Sequence, residues 1–129
     1  MNAQAIYQIL RDDADVVAAL GTRIMPDMAT QTAAYPFAVY EIGGTLPSDT
    51  KDGSSRLDTV EATIFIYAQT HASVQDIAEK VREAMDRKRG TFASVEIDSI
   101  RFSSQRSAGF DFDKNVFAVE QTYQIRAKR

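Results

Sequence analysis

The chain has 129 residues, of which 15 are Lys or Arg and 18 are Asp or Glu, for a formal net charge of -3. This length fits one domain with a single core, and the charge gives no overall attraction to nucleic acid or to an acidic membrane surface. Cysteine is absent, which excludes disulfides, thiol nucleophiles and zinc sites built on thiolates. No apolar run approaches the ~18 residues of a membrane span, so we expect a soluble protein made in the cytoplasm.

The first 21 residues predict two short helices rather than one. Ile6, Ile9 and Leu10 fall on one helical side, and the acidic pair after them offers a new N-cap for residues 14–20. Gly21 is placed where a helix C-terminus favours glycine. Residues 22–25 are expected to form a short extended piece that ends at Pro26, and a loop is expected to follow.

Two strands and a helix are predicted in the middle of the chain. Residues 37–42 alternate as a strand does, and residues 57–68 form the clearest strand. One face of that strand is continuously apolar, with Val60, Ala62, Ile64, Ile66 and Ala68. After Ser73, apolar residues recur at the spacing of an amphipathic helix, at Val74, Ile77, Ala78, Val81, Ala84 and Met85. The basic residues 87–89 and Gly90 are expected to end this helix.

The last third of the chain predicts two further strands. Residues 92–105 read as a strand with a bulge near Asp98 and Ser99, where the apolar phase changes. A loop is expected over residues 106–115. Residues 116–126 close the chain as a strand, one face of which carries Phe117, Val119, Gln121, Tyr123 and Ile125.

These elements predict an α+β fold in a single domain over residues 1–129. Its sheet has four strands, mixed and mainly antiparallel, with the helices packed on one face. The strand-helix-strand crossover in the middle should be parallel, and the hairpins on either side should be antiparallel. The order of the strands does not follow from the sequence.

The residue types give no catalytic, cofactor-binding or metal site. The single histidine, His71, could be paired with Asp76 or Ser73, but no such pair has a recognisable catalytic spacing. A solvated histidine at the start of a helix is the stronger interpretation.

Two charged groups also find structural explanations. Asp98, Asp111 and Asp113 could hold a hard cation, but the last two belong to a segment that lacks the ligand pattern and glycine of a calcium loop. The basic residues around 87–89 suit a helix C-terminus, so no specific nucleic acid is expected as a partner.

Residues 43–55 are rich in glycine and small polar side chains, and they predict a long connection between two strands. A hairpin closes with ~2 to 5 residues, so the extra length favours an arm that contacts a partner. Leu46 supports this interpretation, because it is an apolar residue in a polar stretch. The candidate partner-contact residues are Gly43, Gly44, Thr45, Leu46, Pro47, Ser48, Asp49, Thr50, Lys51, Asp52, Gly53, Ser54 and Ser55.

The order of four segments carries a family resemblance. Residues 6–20 (IYQILRDDADVVAAL) are followed by GTRI, then by YPFAVY at 35–40, then by IFIYA at 64–68 before the helix VQDIAEKVREAM at 74–85. This arrangement covers most of the chain and resembles that of phage and prophage tail-completion proteins, also called tail terminators. Each segment alone is unspecific, and the specificity lies in their order and spacing.

The resemblance implies a virion assembly protein without catalysis, cofactor or metal. Such a protein forms a ring with copies of itself, commonly of six subunits, at the head-proximal end of a phage tail, where it joins tail and head. Its partners are the tail-tube and head-tail connector proteins, with no membrane and no specific nucleic acid. The alternative from another class is a small ligand-binding or regulatory α+β domain with a pocket between sheet and helices.

Overall fold

The computed structural model describes residues 2–27, 34–47, 57–111 and 115–128, and in these ranges three helices pack on one six-stranded sheet. The elements in chain order are α1 (Asn2–Asp12), α2 (Ala14–Leu20), β1 (Ile24–Pro26), β2 (Phe37–Pro47), β3 (Leu57–Ala68), α3 (His71–Met85), β4 (Gly90–Phe92), β5 (Val95–Asp111) and β6 (Val116–Lys128).

The strands lie in the order β1-β2-β3-β6-β5-β4. The β1–β2 pair is parallel and the other four pairs are antiparallel, which confirms the mixed, mainly antiparallel sheet. β3 and β5 both run antiparallel to β6, so they are parallel to each other, as predicted for the crossover through α3. The prediction of four strands is wrong, because β1 and β4 each add three residues at the edges of the sheet.

Local capping decides the boundary between the first two helices. The Asp13 side chain accepts hydrogen bonds from the backbone N–H groups of Asp15 and Val16, both at 3.0 Å. Gly21 has a φ of 60° and donates its N–H to the Val17 carbonyl at 2.7 Å. Two helices with these two caps confirm the prediction for the first 21 residues.

The predicted end of α3 is wrong. The helix ends at Met85, and Asp86 is already extended, with a φ of -65° and a ψ of 133°. The Asp86 carboxylate accepts the Phe102 N–H at 2.9 Å, and the Arg87 N–H donates to the Ile100 carbonyl at 2.9 Å. These bonds to β5 turn the chain away from the helix axis, and Gly90 then begins β4.

Two predicted loops are shorter than expected. β2 does not stop at Gly43, because a bulge there lets the strand continue to Pro47 against β3. β5 runs on to Asp111 instead of ending at residue 105. Its register shifts between Ile97 and Ser99, which confirms the predicted bulge, and shifts again at two later points.

The core lies between the helices and one face of the sheet. All five residues on the apolar face of β3 and all six in the predicted stripe of α3 are buried. The three helices contact one another, α1 and α3 also contact the sheet, and all three contribute buried residues to the same core cluster, which confirms packing on one side. Each fully buried Ile, Leu or Val contributes about 1.5–3 kcal/mol relative to an exposed side chain, so this layer supplies most of the stability. We call this face of the sheet the inner face and the opposite one the outer face.

Candidate functional site

The single histidine lies at the start of α3. His71 is exposed, and its ring meets the ring of Phe117 edge-on with 5.8 Å between centroids. The two residues considered as catalytic partners make local contacts, Asp76 through its carboxylate and Ser73 through its backbone N–H. The Asp76 carboxylate pairs with Lys80 at 3.0 Å, and the Ser73 N–H bonds to the side chain that caps α3. Both contacts support the helix itself.

The aspartates considered as cation ligands do not form a common site. Asp98 lies near the start of β5 and Asp111 at its end, while Asp113 lies outside the described residues. Across the described ranges, no three acidic or histidine side chains come together as metal ligands would. None of the helices in the same ranges has the length and apolar character that crossing a membrane requires.

An open cavity of about 280 Å³ lies beside α1 and α2, at the edge of the sheet that carries β1. Its walls are mainly apolar, and Val17 on one wall is 39% exposed. Of the described residues that line it, Arg11 alone is charged; these residues are Tyr7, Arg11, Val17, Gly21, Thr22 and Ile24. The cavity lies at the side of the molecule, whereas the space between sheet and helices is filled by the core.

The first half of β2 is covered by β1. The Ala38 N–H donates to the Arg23 carbonyl at 3.0 Å, and the Asp27 N–H donates to the Tyr40 carbonyl at 2.9 Å. Arg23 also donates from Nε to the Pro36 carbonyl at 2.7 Å. The first half of β2 is therefore hydrogen-bonded on the side that faces away from β3.

The second half of β2 has no neighbouring strand on that side among the described residues. We call residues 41–47 the β2 edge. In an antiparallel ladder every second residue points its peptide groups away from the partner strand. The peptide groups of Ala38 and Tyr40 point away from β3 in this way. By the register with β3, those of Ile42 and, after the bulge, Thr45 also point away from β3. Pro47 follows in this series, where its missing N–H costs no bond within the sheet.

The glycines of the β2 edge allow close approach. Gly43 and Gly44 are both exposed. A Cβ on Gly43 would lie 3.4 Å from the Glu61 carbonyl oxygen, whereas a Cβ on Gly44 would have nothing within 4 Å. Among the described residues, nothing therefore covers the sheet face at Gly44, and its missing side chain leaves room there for another chain.

At the opposite end of the sheet, the long strand β5 has a section with no further neighbouring strand among the described residues. β4 pairs with residues 95–97, and Asp86 and Arg87 bond to the peptide groups of Phe102 and Ile100. Beyond these contacts all residues from 103 to 109 are exposed. We call residues 103–111 the β5 edge. By the register with β6, Gln105 and Ser107 continue the series of Ile100 and Phe102, so their peptide groups point outward.

The outer face carries opposite charges near these two edges. Glu41 pairs in register with Thr63, and the neighbouring Glu61 is exposed on the same face of β3. Arg101 and Arg106 lie on the outer face of β5, and both are exposed. Within the described part of the chain, Arg106 pairs with Glu120 at 2.9 Å, whereas Glu41, Glu61 and Arg101 form no ion pair.

A buried polar network holds β5 and β6 under α3. Gln121 is fully buried, and its Nε2 donates to the Ala78 carbonyl and to Gln105 Oε1, both at 2.8 Å. The Tyr123 hydroxyl donates to Gln121 Oε1 at 2.9 Å. Every polar atom of the Gln121 side chain thus has a partner, as burial requires. The sequence signal for this network is a glutamine on the otherwise apolar face of the last predicted strand.

The predicted partner-contact stretch falls in two parts. Residues 43–47 form the end of β2 instead of a loop, so this part of the loop prediction is wrong. Leu46 lies in the strand opposite Thr59. Residues 48–55 lie outside the described residues. The sequence interpretation placed residues 103–105 in a strand but missed the rest of the β5 edge, because a segment such as Arg-Ser-Ala-Gly at 106–109 is as typical of a loop as of an exposed strand.

Comparison with known proteins supplies the family. The sequence matches the model of a family described as tail completion protein gp17 over residues 4–128. The fold is similar to that of a chain in a structure described as the virion of a native gene transfer agent particle, with a TM-score of 0.74 and 16% sequence identity. That alignment covers 97% of this chain and 92% of the other. The search of curated proteins found no match.

The family match covers nearly the whole chain, and the similar structure has the same fold over nearly its full length. Phage tail completion is a structural task. The chain therefore belongs to the tail completion protein gp17 family, whose members are structural proteins of phage virions.

Proposed function

We propose that this protein forms a closed ring, commonly of six subunits, at the head-proximal end of a phage tail. There it ends the tail and contacts the tail-tube and head-tail connector proteins. The family match over residues 4–128 carries the proposal. The two open strand edges support it, because unlike edges at opposite ends of one sheet suit a head-to-tail contact, and such contacts form a ring where the rotation between copies closes.

On this proposal the protein acts by shape and contact and has no catalytic residue. The neighbouring genes give an inexpensive first check, because genes for capsid, portal and tail proteins accompany a tail completion gene. Metabolic genes in those positions would instead favour a ligand-binding domain, for which the cavity beside α1 and α2 would be the binding site.

The direct test is particle production in a host strain that lacks this gene. We expect heads and tails that do not join, or tails of abnormal length, and recovery when the gene is supplied from a plasmid. His71→Ala is the matched control, since it removes the single histidine and should restore particles as fully as the unchanged protein. Electron microscopy of the restored particles should show a ring at the head-proximal end of the tail. Normal particles without the gene, or a two-fold dimer in the particle, would contradict the proposal.

We also propose that residues 48–55 contact a partner in the virion. Replacing residues 49–55 with an Asn-Gly dipeptide should leave a short turn between β2 and β3 and keep every described pair of that hairpin. The melting temperature should change little, because a shorter loop costs less closure entropy and no described core residue is touched. Tail completion in the complementation assay should be lost. Normal tails joined to heads would show that the length of this connection is dispensable.

A further inference from the structure

The proposed ring needs two unlike surfaces on each subunit, and the sheet offers them in the β2 edge and the β5 edge. Resting on the proposed function, we infer that the β2 edge of one copy pairs with the β5 edge of the next copy, so that the sheet continues from subunit to subunit. The partner is a second copy of this chain.

The strand directions fit this contact. β2 runs antiparallel to β3, β3 to β6 and β6 to β5, so β2 and β5 point in opposite directions. Placing two copies side by side in the same orientation therefore brings β5 of one beside β2 of the next as an antiparallel pair. The outward peptide groups at Ile42 and Thr45 then face those at Gln105 and Ser107, and each edge gains the hydrogen bonds it lacks.

The position of the edges along the sheet sets the geometry of the ring. Counting residue pairs across the sheet, Glu41 lies at the same height along the strands as Ser104. Within one subunit, the β2 edge is therefore at the height of the section of β5 that β4, Asp86 and Arg87 cover. The β5 edge is level with the section of β2 that β1 covers. Neighbouring copies must therefore shift along the strand direction to pair. For all copies to lie at the same height in a flat ring despite this shift, the strands must be inclined to the ring axis, as they are in a β-barrel with a staggered register.

Charge selects the unlike pairing over the like pairings. A β2 edge paired with another β2 edge would bring Glu41 and Glu61 of two copies together. Two β5 edges would bring together the two Arg106 side chains, each paired with its own Glu120, with Arg101 on the same face just before the edge. Like charges facing each other across strands are destabilising, whereas a β2 edge against a β5 edge brings carboxylates to guanidinium groups. The same difference between the two ends prevents a two-fold dimer and favours a cyclic contact.

The absence of natural cysteine makes the contact directly testable. Gly44 has open space at its Cβ position and a backbone that accepts a side chain, and Ser107 is exposed. We would prepare Gly44→Cys, Ser107→Cys and the double variant, and treat assembled particles and concentrated free protein with a short bis-maleimide. The double variant should give a ladder of covalent oligomers that ends at the ring, while each single variant should remain a monomer on a denaturing gel.

The possible outcomes separate this inference from the proposed function. Dimers from either single variant would show a two-fold contact between like edges and overturn the inference. The inference also fails if the double variant completes tails and shows rings by microscopy yet gives no cross-linked ladder, although the proposed function then stands. Absence of the unchanged protein from particles would overturn both. We expect the double variant to give a ladder of oligomers. An equal mixture of the two single variants should give dimers and nothing larger.

Discussion

Reversing the charge at one end of the sheet is expected to abolish ring assembly, and mixing the two reversed proteins is expected to restore it. One variant carries Glu41→Lys and Glu61→Lys, and the other carries Arg101→Glu and Arg106→Glu. In each variant alone, both ends of the sheet have the same sign, so every head-to-tail contact becomes repulsive. In an equal mixture each contact again joins unlike charges, provided that the two variants alternate. Alternation closes only in a ring with an even number of subunits, as a hexamer has.

The size of this effect can be followed by light scattering of concentrated protein and by complementation with one or both genes. We expect each variant alone to lose about tenfold or more in association, which corresponds to about 1.4 kcal/mol per contact. Added salt should weaken the repulsion, because exposed charges are screened within ~10 Å at ordinary ionic strength. Glu79→Lys with Glu83→Lys on the exposed side of α3 makes the same change in net charge as Glu41→Lys with Glu61→Lys and should assemble normally. A mixture that stays unassembled while the control forms rings would contradict the charge argument.

Tyr123→Ala is expected to cost about 3–5 kcal/mol of the free energy of unfolding, the largest loss from any single substitution proposed for this chain. Tyr123 is fully buried on the central strand β6, and its ring meets the Phe102 ring edge-on with 5.6 Å between centroids. Truncation leaves a cavity under α3 and removes the donor from the buried Gln121 Oε1. Urea unfolding followed by circular dichroism measures the loss.

Tyr123→Phe is the matched control, because it keeps the ring and removes only the hydroxyl. It should cost about 1–3 kcal/mol, since Gln121 keeps a buried acceptor without a partner. In the double variant Tyr123→Phe with Gln121→Leu, both ends of the lost bond are apolar, so the two costs should not add. A loss for Tyr123→Ala no greater than that for Tyr123→Phe would show that the ring contributes little packing.

The same pair of proteins gives a pH test. Burial raises the pKa of Tyr123 well above its ordinary value, and Asp86 and Glu79 raise it further while Arg82 partly opposes them. The unfolded chain loses this proton near pH 10, whereas the folded chain retains it. Stability should therefore be unaffected by this group below about pH 10 and should fall as the pH rises beyond it. Tyr123→Phe should flatten that fall in part, because burial also raises the pKa of Tyr40 and Tyr67.

The sequence by itself determined the elements whose signals are local. The 3.6-residue period of α3 and the two-residue period of β3 each repeat often enough to identify the element and its buried face. Asp13 and Gly21 mark helix ends because capping is a contact within one turn. The family resemblance also came from sequence, through the order of these same segments, and the family match over residues 4–128 confirms it.

Only the tertiary structure decided which strands are edges. β1 and β4 have three residues each, too few for a period, and they exist because β2 and β5 offer them backbone hydrogen bonds. The bonds from Asp86 and Arg87 to β5 end α3 four residues before its predicted end at Arg89. Gly43 looked like a strand terminator, yet pairing with β3 carries β2 past it. Strand pairing joins residues that are far apart in the chain, and its hydrogen bonds are made by backbone that every residue shares. The open edges on which the proposed ring depends are therefore invisible in the sequence and appear once the strand order is known.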